Sequence, residues 1–435
     1  MNIDEKDVEE LNAVNDGETV RYRILLKRKD FHCRYCGGKL NILGYKERLI
    51  RHPTLSEYKS VIDFRSRRFI CKDCRRSSME DNPFTFKGFR TSYALQRKVL
   101  LRLKNLNYTL KMIADELNLS ETMVNNYLDS YITLPDPCLP ECLGIDELHS
   151  KALSYKNSAY ICILVDNQKR VLNNVLGSRS KSYLDNYFYG FSQEKRDAVK
   201  YVTIDMWRPY YDVCRKQFRN AIIAVDPFHV IEHLTRGFTN IRVNIMKQCL
   251  YGSNAYYLLK NWNWLLESED VDLDNEPQYN VRFREKLNRR QVLEMILNIS
   301  PVLKEAYFLK EEYLSFNRKM SYEEAVENYD ALLSDFEKAD IREYREFVSI
   351  LKAWREEILS SFLRPYGDRK LSNALTENFN GKIRTYLNVS KGIDNFNRFR
   401  KRVLFALNDR TFYSLTGKLR SDRKKGKPRG PYKKR

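Results

Sequence analysis

Three acids in this chain lie in settings where an ordinary surface carboxylate does not belong. Asp146 falls inside the apolar run Leu143 to Leu148, within Gly144-Ile145-Asp146-Glu147, and Asp205 closes the apolar run Val202-Thr203-Ile204. Glu377 opens the helical stretch Ala374-Leu375-Thr376-Glu377-Asn378-Phe379-Asn380. A carboxylate in or at the end of a buried strand either holds its proton to higher pH or takes a cation. Two such acids on neighbouring strands therefore make a metal cradle that a helix-borne third acid can close. Three hard oxygen donors hold two Mg2+ or Mn2+ ions loosely, leaving positions for a scissile phosphate, an attacking water or 3′-hydroxyl, and the leaving oxygen. Taken singly, each acid is better read as a surface or capping group; the strand, strand, helix placement joins them. Strand alternation sends Glu147 to the face opposite Asp146, which makes Asp146 the ligand. Asp212 falls on the next helix, facing solvent.

A second set of donors lies upstream. Cys33-x-x-Cys36 and Cys71-x-x-Cys74 each offer two thiolates from one tight turn, and two such turns complete the tetrahedral set that structural Zn2+ takes. The alternative is four unrelated reduced thiols. The 34 residues between Cys36 and Cys71 exceed ordinary finger spacing and imply a strand-bearing excursion, with Tyr58 to Phe64 and Phe69 to Cys71 as strand-like runs. Such a module presents Arg65, Arg67, Arg68, Arg75 and Arg76 to phosphates. The other five cysteines lack a partner pattern and read as buried thiols.

The elements that position these groups follow from periodicity. Leu110, Ile113 and Ala114 form one helix, Leu117-Asn118-Leu119 a turn, and Ser120 caps a second helix: a helix-turn-helix, or a plain helical hairpin. On the second helix Thr122, Asn125 and Asn126 are exposed, and amides make bidentate contacts to adenine in the major groove. After the Pro135, Pro137 and Pro140 linker, the runs Leu143 to Leu148, Ala159 to Val165, Val171 to Leu176, Tyr201 to Ile204 and Ala221 to Val225 read as strands. Helical stretches interrupt them near 181–188 and 210–218. That order, strand, strand, strand, helix, strand, helix, strand, is the ribonuclease-H-like one. Long amphipathic helical pattern then fills 228–364, and two further helices cover Glu377 to Tyr386 and Phe396 to Leu407.

The expected organisation is a lead-in (1–30), a zinc ribbon (31–90), a helix-turn-helix (91–136), a catalytic domain in two parts (137–230 and 365–412) split by an all-helical insertion (231–364), and a basic, disordered tail (413–435). The fold class is thus multidomain α/β. The last eighteen residues hold ten Lys or Arg, a composition that grips DNA without packing. Lys382 and Arg384 follow Glu377 on its helix and suit the phosphate backbone beside the acids.

The whole chain carries 77 Lys and Arg against 57 Asp and Glu, a net charge of +20, which draws a polyanion by long-range attraction and counterion release. No apolar run approaches the roughly 20 residues a spanning helix needs. The acidic start, with Asp4, Glu5, Asp7, Glu9 and Glu10, is not a secretory signal, so a reducing compartment and double-stranded DNA are the expected setting and partner.

A resemblance now attaches to particular residues. The zinc ribbon, the helix-turn-helix, Gly144-Ile145-Asp146-Glu147, Thr203-Ile204-Asp205-Met206, Asp226-Pro227-Phe228-His229-Val230 and Thr376-Glu377-Asn378-Phe379-Asn380-Gly381-Lys382-Ile383 occur in that order. From about residue 30 to 410 the chain resembles bacterial insertion-sequence transposases of the ISL-three type, members of the Asp-Asp-Glu superfamily. The resemblance implies a ribonuclease-H-like fold with a helical insertion and catalysis by Asp146, Asp205 and Glu377 with Mg2+ or Mn2+. It also implies a supporting Asp226-x-x-His229 element that positions the target phosphate or a flipped base. It further implies a nucleoid-associated bacterial protein that cuts its element's ends, joins them to a new site, and works as a homodimer or larger assembly on DNA. A sequence-specific regulator without catalysis, or a structure-specific nuclease without strand transfer, are the alternatives; the regulator has no use for Asp205 and Glu377.

Overall fold

A computed structural model describes residues 3–29, 32–55, 57–155, 158–268, 271–390, 392–408 and 412–413 of the chain. It is a mixed α/β molecule of two compact units, one holding the described residues of Met1–Pro137, Ser150–Ser154 and Gly381–Arg435, the other Cys138–His149 and Tyr155–Asn380. The basic tail from Lys418, and Lys391, lie outside the described residues.

The first unit begins with strands β1 (Val8–Asn15) and β2 (Thr19–Leu26), in the stretch expected as a lead-in. Seven of the eight β1 residues are exposed, so β1 carries no alternation to read. The excursion between the cysteine pairs is one long hairpin, β3 (Leu40–Leu55) and β4 (Tyr58–Cys71), followed by the short β5 (Ser77–Met79). The sheet order is β1-β2-β4-β3, with β5 also on β4. Ile24, Ile50, Ile62, Phe64 and Phe84 fill its small core. Next come helices α1 (Tyr93–Lys104), α2 (Leu110–Glu116) and α3 (Glu121–Tyr131), then a two-residue strand β6 (Ile132–Thr133).

The second unit is built on strands β7 (Cys142–His149), β8 (Tyr160–Asp166), β9 (Val171–Leu176), β10 (Tyr201–Ile204) and β11 (Ile222–Val225). Helices α4 (Lys181–Tyr189) and α5 (Gln193–Asp197) precede β10, and α6 (Arg208–Gln217) precedes β11. The order across the sheet is β11-β10-β7-β8-β9. Strands β7, β10 and β11 run parallel, while β7, β8 and β9 form an antiparallel meander. Strand β7 is central and buried along most of its length, as an inner strand must be.

One sheet face carries Leu143, Ile145, Val202, Ile204, Ile223 and Val225 into the main core with Phe188, Tyr210 and Phe218. The other face carries Cys142 and Ala224, with Tyr201 beside them, against Leu363, Tyr366 and Leu371. The rest of the unit is helical: α7 (Pro227–Gln248), α8 (Asn254–Asn261), α9 (Asn263–Glu267), α10 (Arg289–Leu297), α11 (Pro301–Lys319), α12 (Tyr322–Ala339), α13 (Arg345–Ala353) and α14 (Arg355–Ser360). A small hairpin of β12 (Gln278–Asn280) and β13 (Glu285–Leu287) interrupts them. These helices share the main core through residues such as Phe238, Tyr313, Phe336 and Phe347. No helix among the described residues is long and apolar enough to cross a membrane.

Helix α15 (Ala374–Val389) begins within the second unit and ends within the first, and α16 (Phe396–Leu407) belongs wholly to the first. Phe405 of α16 enters the core of the α1–α3 bundle, and a last strand, β14 (Phe412–Tyr413), pairs with β6. The described residues from 381 onward thus group with α1–α3, whereas the sequence pattern grouped 365–412 with the strands around Asp146.

Candidate functional site: an acidic strand edge and a cysteine cluster

Strand register explains how distant acids meet. Thr203 pairs with Gly144, so two residues further along lie Asp205 and Asp146; Ile204 pairs with Val225, so one residue further lie Asp205 and Asp226. Asp146, Asp205 and Asp226 therefore stand in one row across three adjacent parallel strands, on the face that also carries Cys142 and Ala224. Residues 371–380 cover this face. Gly144 permits the approach, because a Cβ at that position would lie 2.8 Å from Thr376 Oγ1 and 3.0 Å from Asn167 Nδ2.

Two asparagines fix the row. Asn373, fully buried, donates from Nδ2 to Asp205 Oδ1 (3.2 Å) and to the Ile145 carbonyl (3.0 Å), and its backbone N–H donates to Asp226 Oδ1 (3.1 Å). Its Oδ1 accepts from Thr203 Oγ1 (2.6 Å), which accepts in turn from Asn167 Nδ2 (2.9 Å). Seven residues on, Asn380 donates from Nδ2 to Asp146 Oδ2 (2.5 Å) and to the Glu147 carbonyl (3.3 Å). Asn373 was not singled out from the sequence, and Asn380 only as part of the Glu377-Asn378-x-Asn380 segment. Their spacing of two helical turns was the available signal.

Glu147 points to the opposite side and is held there by Arg179 and by the Tyr210 hydroxyl (2.8 Å). The Arg179 guanidinium lies over the rings of Tyr160 (3.7 Å) and Trp207 (4.6 Å). Alternation thus gives the two neighbouring acids different partners, although one oxygen of Glu147 remains within 4.8 Å of Asp146 and Asp205. Asp212 is tied to Lys181 and Arg208 at the surface.

Glu377 belongs to a different cluster. It is exposed near the start of α15 and groups within 4.8 Å with Asp226 and His229, not with the Asp146 group. Asp226 is the N-cap residue of α7, Pro227 starts that helix, and His229 sits in its first turn, so the Asp-Pro-x-His order turns both side chains toward one place. His229 Nε2 lies 3.2 Å from Asp205 Oδ1 and joins the two clusters.

The electrostatics are those of a site built for positive charge. Burial, and then the neighbouring Asp205 carboxylate, push Asp146 up to about 8. Burial also raises Asp226 to about 6. The hydrogen bond to Asp205 leads the effects that lift His229 to about 9. Asp226 Oδ2 is enclosed and has no hydrogen-bond partner. Ionised buried oxygens without donors are strongly unfavourable until a cation is supplied, and this donor set of carboxylates fits hard divalent ions.

The cysteine cluster is assembled locally. Cys33 N–H donates to the Gly38 carbonyl (2.8 Å) and Gly37 N–H to the Cys33 carbonyl (2.9 Å), while Cys71 N–H donates to the Arg76 carbonyl (2.9 Å). Gly37 and Arg75 take positive φ, 74° and 59°, to close the two turns. Sγ atoms of Cys33 and Cys74 stand 3.5 Å apart, and those of Cys36 and Cys71 3.4 Å. Tetrahedral thiolates at about 2.3 Å from a zinc ion stand about 3.8 Å apart, so the arrangement suggests zinc. The Tyr35 backbone N–H is the leading influence bringing the Cys33 thiol down to about 6, toward the thiolate that a metal needs.

Among the residues expected to meet DNA, Arg65 and Arg68 are exposed, with Arg65 lying over the Tyr45 ring. Arg67 is a correction. It is 2% exposed and clamped between Glu80 (3.0 Å) and Glu9 (2.5 Å), also donating to the Leu26 carbonyl, so it ties β1, β2 and β4 together and does not face a phosphate. Its carboxylate partners lie 58 and 13 residues away in the chain, so nothing in the local sequence separates it from Arg65 and Arg68.

Thr109 caps α2 and Ser120 caps α3 through bonds to Met112 N–H (3.0 Å) and Met123 N–H (3.2 Å), and Asn118 takes φ of 50° in the turn. On α3, Thr122 and Asn126 are exposed and Asn125 is half-buried. Lys382 and Arg384 are exposed on α15. Beyond them, Arg398 is engaged by Asp129 (2.9 Å) and Arg402 is buried, donating to the Asn105 and Tyr108 carbonyls, so these two lock α16 to the bundle.

The profile of a transposase family, the DDE transposases of the ISL-three (ISL3) type, matches residues 143–403. No curated protein sequence matches the chain.

Proposed function

Since the chain belongs to the ISL-three family of DDE transposases, we propose that it cuts the ends of its own insertion sequence and joins the freed 3′-hydroxyls to a new DNA site. The observation that carries this reading is the register row of Asp146 and Asp205 at the ends of adjacent parallel strands, with Asp146 buried and pushed up to about 8. In this reading the second unit is a ribonuclease-H-like catalytic domain, its strands and α4–α6 following the order expected of that fold, with α7–α14 as a helical insertion.

Asp146, Asp205 and Glu377 would hold two Mg2+ or Mn2+ ions. When bound there, divalent cations supply Lewis acidity and neutralise charge on the phosphate during in-line displacement. The chain's own residues do the positioning. Asn380 bonds Asp146 Oδ2, Asn373 bonds Asp205 Oδ1, and the Glu147 N–H bonds Asp146 Oδ1, so the two carboxylates are held in fixed orientations. Glu377 stands exposed across the strand edge, where it can approach when DNA is present. His229 donates to Asp205 and turns the Asp226 element toward the same edge as a support for the target phosphate.

The remaining contacts suit DNA. The four cysteines, with Zn2+, hold a ribbon that offers Arg65 and Arg68 to phosphates. Helix α3 offers Thr122 and Asn126 to base edges, Asn125 being half-buried with its Oδ1 enclosed, and Lys382 and Arg384 lie further along the helix that carries Glu377. Element ends and target in the nucleoid of a bacterial cytoplasm are the proposed substrates, and joining two ends calls for at least two protomers.

The test is Mg2+- or Mn2+-dependent nicking and joining of DNA bearing the element's ends by wild type, Asp205→Ala and Glu377→Gln. Loss of both activities by at least about 1,000-fold in each variant, with end binding retained, is expected for groups that act in the reaction itself. Hydrolysis without joining in the wild type favours a structure-specific nuclease, and binding without cleavage a regulator.

A further inference from the structure

The first unit encloses polar groups that its own chain does not satisfy. A cavity of about 560 Å3 lies among α2, α3, α15 and α16, lined by residues that all belong to that unit. Arg402 forms part of its lining and is 1% exposed. Its Nη2 donates to the Asn105 and Tyr108 carbonyls, but its Nε and Nη1 are enclosed and have no hydrogen-bond partner. No carboxylate among the described residues pairs with it, and burial works against its charge. Arg398, on the same lining, is by contrast neutralised by Asp129 at 2.9 Å. Two more lining residues repeat the pattern of Arg402: Asn125 Oδ1 and Ser390 Oγ are enclosed and unpartnered as well. One orphaned polar atom is a local imperfection, whereas three side chains around one cavity outline a ligand.

The unmet groups decide what fits. A guanidinium does not shed its proton, so Arg402 calls for an anion, and Lys111, exposed on the same lining and without an ion pair among the described residues, adds a second cation. Two cations favour a phosphate over a singly charged carboxylate. Asn125 Oδ1 calls for an N–H donor, as do the Glu121 and Asp394 carboxylates on the lining. The Tyr386 and Phe399 rings, parallel within 10°, give the cavity an aromatic wall that suits a planar ring. A volume of this size takes a small molecule and not a duplex. We propose that this cavity binds a single nucleotide, with its phosphate on Arg402 and Lys111 and the amino group of its base on Asn125. Asn125 then has a task other than the base edges of a duplex. The inference rests on the proposed function only for the source of the nucleotide, which is either free in solution or unpaired at the end of bound DNA.

The experiment uses the full chain with its zinc retained and no added Mg2+ or Mn2+, titrated with 2-aminopurine deoxyribonucleoside 5′-monophosphate and with the corresponding nucleoside. Base fluorescence reports the aromatic wall. Saturable quenching is expected, with the monophosphate bound at least about 10-fold tighter than the nucleoside. Lys111→Glu, at an exposed position, should erase that preference, and Asn125→Leu should weaken both ligands alike by about 10-fold. Arg402→Lys should act as Lys111→Glu does; if loss of the bonds to the Asn105 and Tyr108 carbonyls unfolds the bundle, the other two variants still decide. Absence of saturable quenching, equal affinity for nucleoside and monophosphate, or a preference that survives Lys111→Glu would each overturn the site. Quenching of the same base placed unpaired at the end of a duplex, with competition by the free monophosphate, assigns DNA as the source; quenching confined to the free monophosphate assigns a nucleotide from solution. Nucleotide binding by a protein that fails to join DNA keeps the cavity site and removes the transposition reading. Joining that depends on Asp205 in a protein that binds no nucleotide does the reverse.

Discussion

The cysteine cluster and the acid edge both gather donors that suit metal ions, but they gather them by opposite routes. Each cysteine pair is closed by its own turn, with Gly37 and Arg75 in the left-handed region, and one hairpin brings the two turns together. The acids come from positions 146, 205, 226 and 377 and meet because three parallel strands share a register and a helix start is packed over them. The first site is a property of local sequence and the second of the completed fold. Damage to the first should unfold its own module and little else, whereas damage to the second can come from residues that touch no ligand.

The largest expected effect is on the local site. Zinc bound to such a set contributes on the order of 10–16 kcal/mol to a module with little core of its own. The few core residues around Ile62 and Phe64 cannot replace that. Cys71→Ser, or removal of zinc by a chelator, should therefore melt the β1–β5 sheet and abolish binding to element ends, while the thermal transition of the strand-bearing second unit shifts little. Limited proteolysis and metal content by mass spectrometry read the outcome. A Cys71→Ser protein that keeps its ribbon resistant to protease would break the comparison, because the thiols would then be ordinary buried groups.

Next in size is Asn373→Ala. The substitution leaves the backbone N–H bond to Asp226 but strips the side-chain bonds to Asp205, the Ile145 carbonyl and Thr203. Each buried polar group left without a partner costs about 1–3 kcal/mol, and some is recovered by water, so a net loss of about 3 kcal/mol is expected in urea unfolding of the second unit. Joining should fall further than stability alone accounts for, at temperatures where the variant is fully folded. A variant that loses stability but joins DNA at the wild-type rate would show that the row of acids holds itself.

The same contrast sets what was legible in the sequence. Cys33, Cys36, Cys71 and Cys74, the cap Ser120, and the strands 171–176 and 201–204 could be read off residue types at short spacing, since local physics determines them. Family resemblance brought Asp226 and His229 forward. The register that aligns Asp146, Asp205 and Asp226 could not be read, because parallel pairing leaves no trace in either strand alone. Strand β1 escaped notice because nearly all of it is exposed, and Arg67 was misread because its partners Glu9 and Glu80 are remote or polar-looking in sequence. The division of Glu377 from Asp146 into separate clusters is likewise a fact of packing.

The smallest effect, and the finest test of the contrast, compares two glycines. At Gly37 nothing lies within 4 Å of an added Cβ and φ is 74°, so Gly37→Ala costs only the left-handed backbone, about 1 kcal/mol, and should leave zinc content unchanged. At Gly144 the backbone is ordinary, but the new methyl meets Thr376 Oγ1 at 2.8 Å and the Asn167 amide at 3.0 Å, and both are enclosed. Overpacking of that kind costs about 1–3 kcal/mol and is relieved by moving the weaker neighbour, here the start of the helix that carries Glu377 and Asn380. Gly144→Ala should therefore reduce joining more than 10-fold while every acid, asparagine and cysteine remains in the chain. Equal and slight effects on joining from both alanines would mean that the acid edge tolerates displacement of its covering helix as readily as the cysteine turn tolerates a methyl group.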